Sequence, residues 1–311
     1  MEDLKSFTVQ RGSMTNSLRP SGPITDWTGG STPSKLLLVD SELSVSRPSR
    51  EEEAYWDWTW EQLASDDLPA MYDYIHIQTG QKLYYVGHSL GTLIALAAFS
   101  QEKLVNMTKS AALLAPIAYL GQLSSVFGRT IVTIAEVRQI KKIYSNSLVV
   151  GKLLEGVCVL PLIDCNNVIS TLGGPNCCIM PSTVDVLFDH TFQSTSTKNF
   201  VHLSQMIRAG NIAEYDYGDE SENKARFGQP TPPMYYMTRI PKDIPLFLSY
   251  GGKDTLSDVN DVQLLLENLE DHEKDKLVVQ YRDYYAHFDF IMAENANRVV
   301  YDPLLAFFMT P

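Results

Sequence analysis

A serine between two glycines is the residue of this sequence whose setting best suits covalent chemistry. Ser89 lies in GHSLG (residues 87–91), between an apolar run rich in Tyr and Val and a second run rich in Ala and Leu. The glycines permit a strained turn between a strand and a helix, which lifts the serine hydroxyl above the edge of a sheet. A helix beginning at Leu90 would direct a free backbone N–H at a developing oxyanion. The pattern therefore predicts Ser89 as nucleophile and the Leu90 N–H as oxyanion donor.

Chain order selects the base among the six histidines. In strand-turn-helix sites of this type the catalytic residues follow the order Ser, Asp or Glu, His. Four histidines precede the last two expected strands and are set aside: His76, His88, His190 and His202. His272 lies in the charge run EDHEKDK, which is typical of a solvated surface. His287, in DYYAHFDF, follows an expected strand at 276–281. Parallel sheets bind ligands at the carboxyl ends of their strands, so His287 is the predicted base.

The acid is expected just after the preceding strand, where SYGGKDTLSDVND contains three aspartates. Asp258 and Asp261 have a structural explanation as the N-cap and first-turn acid of the next helix. Asp254 has no such explanation, and the glycines before it allow a tight turn toward the imidazole. Asp254 is therefore the favoured acid and Asp258 the alternative. The acid would fix the tautomer of His287 while the ring accepts the serine proton.

Strands and helices alternate around these residues. The sequence predicts strands at 35–40, 82–87, 111–116, 244–250 and 276–281, and helices at 90–102, 258–269 and 296–308. Such alternation indicates an α/β protein with a mostly parallel sheet and helices on both faces. A further helix is expected to begin at Ser65 or Asp66, with one buried face formed by Leu63, Leu68, Met71, Tyr72 and Ile75.

Three segments follow from this pattern. Residues 1–54 are a divergent, partly irregular segment rich in Ser, Thr, Pro and Gly, with incomplete amino-terminal strands and one convincing strand. Residues 55–117 and 241–311 form the core. Residues 118–240 interrupt the alternation and are interpreted as an inserted cap or lid.

Composition excludes some classes of function. The net charge of -12 argues against nucleic-acid binding, because a phosphate backbone attracts basic surfaces. No segment approaches a membrane span, and the amino terminus has no apolar stretch typical of a secretory signal. No cofactor is expected, and the oligomeric state is not encoded in any recognisable pattern.

Four cysteines fall within about twenty residues: Cys158, Cys165, Cys177 and Cys178. Their spacing does not fit a zinc site, so no metal is expected. Disulfides in an exported protein and reduced thiols in a loop-rich segment both remain open. Asn106, in NMT, is a glycosylation sequon.

From about Tyr55 onward the sequence resembles the acid lipase family of α/β-hydrolases, and especially its plant triacylglycerol lipase-like branch. The matching motifs are WDWTWEQLASDDLPA, TGQKLYYVGHSLGTLIALAAFS, STSTKNFVHLSQ, PPMYY, SYGGKDTLSDVNDVQLLL and YAHFDFI. The resemblance implies an α/β-hydrolase fold with the nucleophile at Ser89, the acid at Asp254 and the base at His287. It also implies cleavage of acylglycerol or sterol esters, a lid-bearing cap that meets the lipid interface, and a disulfide in the cap. Members are secreted or reach a lysosome or vacuole.

The amino-terminal region departs from that family. Family members carry a His-Gly loop after an early strand that supplies a second oxyanion donor, and this sequence has no His-Gly dipeptide. Gly29 and Gly30 precede the strand at 35–40 and are poor substitutes. The amino-terminal region is therefore expected to be truncated or divergent. The alternative function is that of a catalytically impaired relative that binds lipid or another protein.

Overall fold

The computed structural model describes residues 4–8, 34–39, 56–124, 165–180, 183 and 196–310. Side chains are described from residue 56 to 124, from 169 to 180, at 183 and from 196 to 310. The predictions for His190, Cys158 and the Cys165 side chain lie outside this part of the chain, as do Gly29 and Gly30.

Six parallel strands form one sheet in the order in which they occur along the chain. They are β1 (Leu4–Thr8), β2 (Ser34–Val39), β3 (Leu83–His88), β4 (Thr108–Leu114), β5 (Leu246–Gly251) and β6 (Leu277–Arg282). All six residues of β5 are buried, as expected for a strand covered on both faces, whereas Val278, Val279 and Tyr281 of β6 are exposed. The predicted α/β class with a parallel sheet is confirmed.

The described residues form nine helices, some of which cover the two faces of this sheet. They are α1 (Trp60–Gln62), α2 (Leu68–Thr79), α3 (Leu90–Ser100), α4 (Cys165–Gly173), α5 (Thr197–Ala209), α6 (Glu220–Phe227), α7 (Val259–Asn268), α8 (Asp289–Met292) and α9 (Asp302–Phe308). Two π-helical segments, Leu63–Asp67 and Asn297–Tyr301, precede α2 and α9, and 3-10 turns span Val105–Met107 and Met237–Arg239. None of the helices among these residues is long and apolar enough to cross a membrane.

The two faces of the sheet carry separate cores, because alternate strand residues point in opposite directions. Leu83 and Tyr85 of β3 pack in one core with α2 and α3, and Tyr84 and Val86 pack in the other with the closing helix α9. Met206 and Ile212, which lie between β4 and β5 along the chain, also join the first core. Covering helices on both faces leave the two ends of the strands as the places where loops can build a site.

The helix before β3 begins earlier than the sequence predicts. Thr59, rather than Ser65 or Asp66, is the N-cap, because its side chain accepts from the Glu61 N–H and the Gln62 side chain accepts from the Thr59 N–H at 2.7 Å. Pro69 lacks an N–H, and the π segment that precedes it accommodates the lost helical bond. The predicted buried face is confirmed, with Leu63, Leu68, Met71, Tyr72 and Ile75 all buried.

The amino-terminal segment contains two strands, not the single strand that the sequence predicts. β2 corresponds to the expected strand at 35–40, and β1 pairs with it in parallel from Leu4↔Ser34 to Thr8↔Leu38. The five-residue LKSFT has no distinctive alternation of its own, so its strand structure depends on the partner strand.

Candidate active site

Ser89 occupies a strained turn between β3 and α3. Its φ of 54° and ψ of -121° place a non-glycine residue in a backbone region that costs on the order of 1–3 kcal/mol. A Cβ on Gly87 would lie 2.8 Å from the Tyr85 ring and 2.9 Å from the Gly91 backbone. The Ser89 N–H is fixed by the Leu114 carbonyl of β4 at 3.1 Å. The absence of a side chain at Gly87 therefore lets strand and helix approach closely around the serine.

Thr92 anchors this turn, although no pattern in the sequence marks it. Its hydroxyl donates to the Ser89 carbonyl at 2.6 Å and accepts from the Ile117 N–H at 2.7 Å. The side chain is fully buried. Thr92 thus ties the serine turn to the loop that follows β4, a contact over 25 residues that local patterns do not reveal.

Asp254 and His287 form a buried pair at the same sheet edge. His287 Nδ1 lies 2.9 Å from Asp254 Oδ2 and 3.1 Å from Oδ1, and both residues are less than 5% exposed. Asp254 Oδ1 also accepts from the N–H groups of Leu256 and Ser257 at 2.9 and 2.7 Å. Because a carboxylate only accepts, the Nδ1 of His287 carries the hydrogen and Nε2 is left as the basic nitrogen.

The other two aspartates after β5 have the structural roles expected from the sequence. Asp258 is the N-cap of α7 and accepts from the Asn260 N–H at 2.9 Å. Asp261, in the first turn of α7, accepts from the Gln122 N–H at 3.0 Å. Asp254 is the aspartate of this loop that the structure brings to His287.

His88 connects the serine turn to the loop that carries His287. Its Nε2 lies 2.9 Å from the His287 carbonyl, and the two ring centroids are 4.8 Å apart. Burial, and then the neighbouring His287, lower the pKa of His88 to about 3, so the ring is neutral and donates to that carbonyl. Within the described residues no hydrogen bond joins the Ser89 hydroxyl to the His287 ring, a contact that often tightens only when substrate binds.

Two other histidines that chain order or charge set aside as the base are both buried. His202 lies on α5. His272 contradicts the prediction of a solvated surface position, because it is buried and its Nε2 lies 2.8 Å from the Ile244 carbonyl. The charged side chains around His272 are exposed, whereas its ring packs beneath the start of β5. A charge run does not encode the direction in which one ring within it points.

The remaining candidate residues are Leu90, Cys177, Cys178 and Asn106. Leu90 is the first residue of α3, so its N–H has no acceptor within that helix and stays available at the serine turn. Cys177 and Cys178 are joined by a disulfide, which favours the disulfide alternative for these two. Asn106 is exposed in the turn before β4, at the opposite sheet edge. In the described ranges no group of three or more His, Cys, Asp or Glu is arranged to hold a metal ion.

Comparison with known proteins places the chain in a family. No family model matches the chain. Triacylglycerol lipase 2 of Arabidopsis thaliana is 44% identical over 262 residues, which are 83% of this chain and 63% of that protein. Triacylglycerol lipase 1 of the same plant is 33% identical over 83% of this chain and 65% of its own length. Human lipase member K is 31% identical over 90% of this chain and 69% of its own length.

Among solved structures, a soluble variant of monoglyceride lipase from Saccharomyces cerevisiae, in complex with a substrate analog, superimposes with a TM-score of 0.51 and 14% identity. The match covers 86% of this chain and 74% of that one. The fold is therefore that of an α/β-hydrolase, as expected. The chain belongs to the acid lipase family, close to the plant triacylglycerol lipases. It spans less than two thirds of the length of the two plant relatives.

Proposed function

We propose that this protein is a serine carboxylic ester hydrolase that cleaves acylglycerol or sterol esters through an acyl-enzyme. The observation that carries the proposal is the buried Asp254–His287 pair beside the strained Ser89 turn, at one edge of a parallel sheet. The names of the relatives support the lipid ester as substrate class, since several are triacylglycerol lipases.

In the proposed mechanism Ser89 Oγ attacks the ester carbonyl carbon while His287 Nε2 accepts the hydroxyl proton. The tetrahedral oxyanion faces the Leu90 N–H at the start of α3. Collapse breaks the bond to the alcohol, which leaves with the proton from His287. Water then attacks the acyl-enzyme by the same route and releases the carboxylic acid. Asp254 holds the tautomer and stabilises the imidazolium in both steps.

The substrate would reach Ser89 beneath the cap. We assign the core to residues 55–117 and 241–311 and the cap to 118–240, and propose that the cap meets the lipid surface. We likewise propose a secreted, lysosomal or vacuolar location, which the match to human gastric triacylglycerol lipase supports.

The first experiment is labelling of the purified chain with a fluorophosphonate probe, which reacts with an activated serine. The parent protein should label, Ser89→Ala should not, and Ser204→Ala should label normally. Ser204 is a matched control, because it is a buried helical serine bonded to the Val201 carbonyl, outside the site. A folded parent chain that does not label would contradict the proposal and favour the lipid-binding alternative.

Hydrolysis assays then separate the substrate classes. Release of fatty acid from a long-chain triacylglycerol emulsion, compared with a soluble short-chain ester and a sterol ester, tests whether a lipid interface increases the rate. A preference for the soluble ester with no effect of the interface would contradict the lipase part of the proposal and leave an esterase.

A further inference from the structure

One carbonyl of the insertion contacts both loops that carry the Asp254–His287 pair. The Gly173 oxygen, at the end of α4, accepts from the His287 N–H at 3.0 Å and from the Thr255 N–H at 3.3 Å. Thr255 directly follows Asp254 in the chain. The loops after β5 and β6 are therefore bonded to the same oxygen. The bond in the first loop is one residue from Asp254, and the bond in the second is at His287 itself.

Two glycines make this approach sterically feasible. A Cβ on Gly173 would lie 2.8 Å from His287 Cβ and 2.8 Å from the Phe288 ring. Gly174 has a φ of +98°, and a Cβ there would lie 1.9 Å from the Lys253 carbonyl oxygen. Any side chain at either position would push the insertion away from the two loops, because both contacts are far shorter than van der Waals separation.

A buried carboxylate fastens the same segment a second time. Asp289, fully buried just after the base, accepts from the Ala286 N–H at 2.8 Å and from the Cys177 N–H at 3.1 Å through Oδ2. Its Oδ1 accepts from the Cys178 N–H at 3.4 Å. Burial raises the pKa of Asp289, and the three backbone N–H groups oppose that rise by favouring the carboxylate.

We propose that Asp289 and residues 173–178, together termed the clamp, position His287 against Asp254. The clamp bonds the backbone on both sides of the Nδ1 contact and fixes the direction of the ring. Asp289 does not touch the ring, so it is a positioning residue. The expected effect on rate rests on the proposed function, whereas the geometric role of the clamp does not. Residues 173–178 belong to the insertion. The clamp therefore also makes the Asp254–His287 geometry depend on how the insertion packs against the core.

The test compares Asp289→Ala with Asp261→Ala. Asp261 is a matched control, because it is a buried carboxylate that accepts a backbone N–H from another loop away from His287. Asp289→Ala should lower kcat and the rate of fluorophosphonate labelling by about 10- to 100-fold, with KM changed less than about threefold, since small misplacements of reacting groups cost this much. Gly173→Ala should act in the same direction.

A conservative variant and a spectroscopic signal separate positioning from simple destabilisation. Asp289→Asn keeps one oxygen for the Ala286 and Cys177 N–H groups, so it should restore most of the rate. In proton NMR, the Nδ1 proton shared by His287 and Asp254 should be lost or shifted in Asp289→Ala and unchanged in Asp261→Ala.

The outcomes are distinguishable. Parent-like labelling together with an unchanged Nδ1 signal in Asp289→Ala would overturn the clamp. A parent chain that never labels would defeat the proposed function alone, and the NMR comparison would still decide the clamp. Equal rate losses in Asp289→Ala and Asp261→Ala would mean that Asp289→Ala lowers the rate only by destabilising the fold. That result would also overturn the proposal.

Discussion

His287 and His202 are both buried histidines, and their different partners show why only His287 suits the proposed role of base. His287 donates to a carboxylate, and its loop is held by His88 and by the clamp. His202, on α5, lies 2.9 Å through Nε2 from the Ala213 carbonyl and stacks on Trp60 with centroids 4.6 Å apart. Its Nδ1 is buried without a hydrogen-bond partner in the described part of the chain.

The difference lies in the partners, because carboxyl groups are present in both regions. Glu214, close to Glu61 beside α5, has its pKa raised to about 7, first by burial and then by Glu61. Burial likewise lowers the pKa of His202 to about 4. The hydrogen bond from His202 to the Ala213 carbonyl opposes that lowering without overcoming it. The His287 ring is instead oriented by the Asp254 carboxylate, which holds the hydrogen on Nδ1.

The largest expected effect comes from inverting the hydrogen bond that distinguishes His287. In Asp254→Asn the two backbone donors at Oδ1 would keep the amide oxygen in place, so the NH₂ group would face His287 Nδ1. The ring would then carry its hydrogen on Nε2 and could not accept the serine proton. Activity should fall by about 10³- to 10⁴-fold in kcat, measured by ester hydrolysis. Asp258→Asn is the control, since Asn caps helices as well as Asp, and an equal loss there would refute the assignment.

A smaller effect is expected when the ring of His202 is replaced. His202→Phe keeps the stacking on Trp60 but leaves the Ala213 carbonyl without its donor, which costs about 1 kcal/mol. The melting temperature should fall by about 2–4 °C while fluorophosphonate labelling stays within about twofold of the parent. His287→Phe, made in parallel, should abolish labelling. A large loss of labelling in folded His202→Phe would break the distinction between the two regions.

The smallest effect concerns Glu214 and depends on pH. Its pKa is raised to about 7 in the folded state, so the folded protein holds a proton that the unfolded chain has lost above its usual pKa of 4.5. This stability is present below about pH 4.5 and is lost as pH rises through 7. Glu214→Gln should therefore be more stable than the parent at pH 8, by at most about 1 kcal/mol for a half-exposed group, and equal to it at pH 4.5. Thermal unfolding at both pH values measures the difference, and a larger gain at pH 4.5 would contradict the sign.

Local patterns in the sequence predict the elements that carry the site. The apolar runs on either side of Ser89 become β3 and α3, and the strand before Asp254 becomes β5, each within two residues of the predicted bounds. Chain order and helix-capping preferences together then pair Asp254 with His287, since Asp258 and Asp261 are accounted for by the N terminus of α7. The start of the helix at Thr59 is missed because its capping box competes with a second plausible N-cap six residues later.

The sequence by itself determined the serine turn, the strands on either side of it and the pairing of Asp254 with His287, because these depend on glycines, apolar runs, helix caps and chain order. Only the tertiary structure decided that Gly173 and Asp289 brace the pair, that Thr92 anchors the serine turn and that His272 is buried. Most of these contacts join residues that are far apart in the chain, between 25 and 114 positions in the case of Thr92–Ile117 and Gly173–His287. Tertiary packing determines which distant backbone group each of these residues contacts, and no local pattern in the sequence encodes that partner.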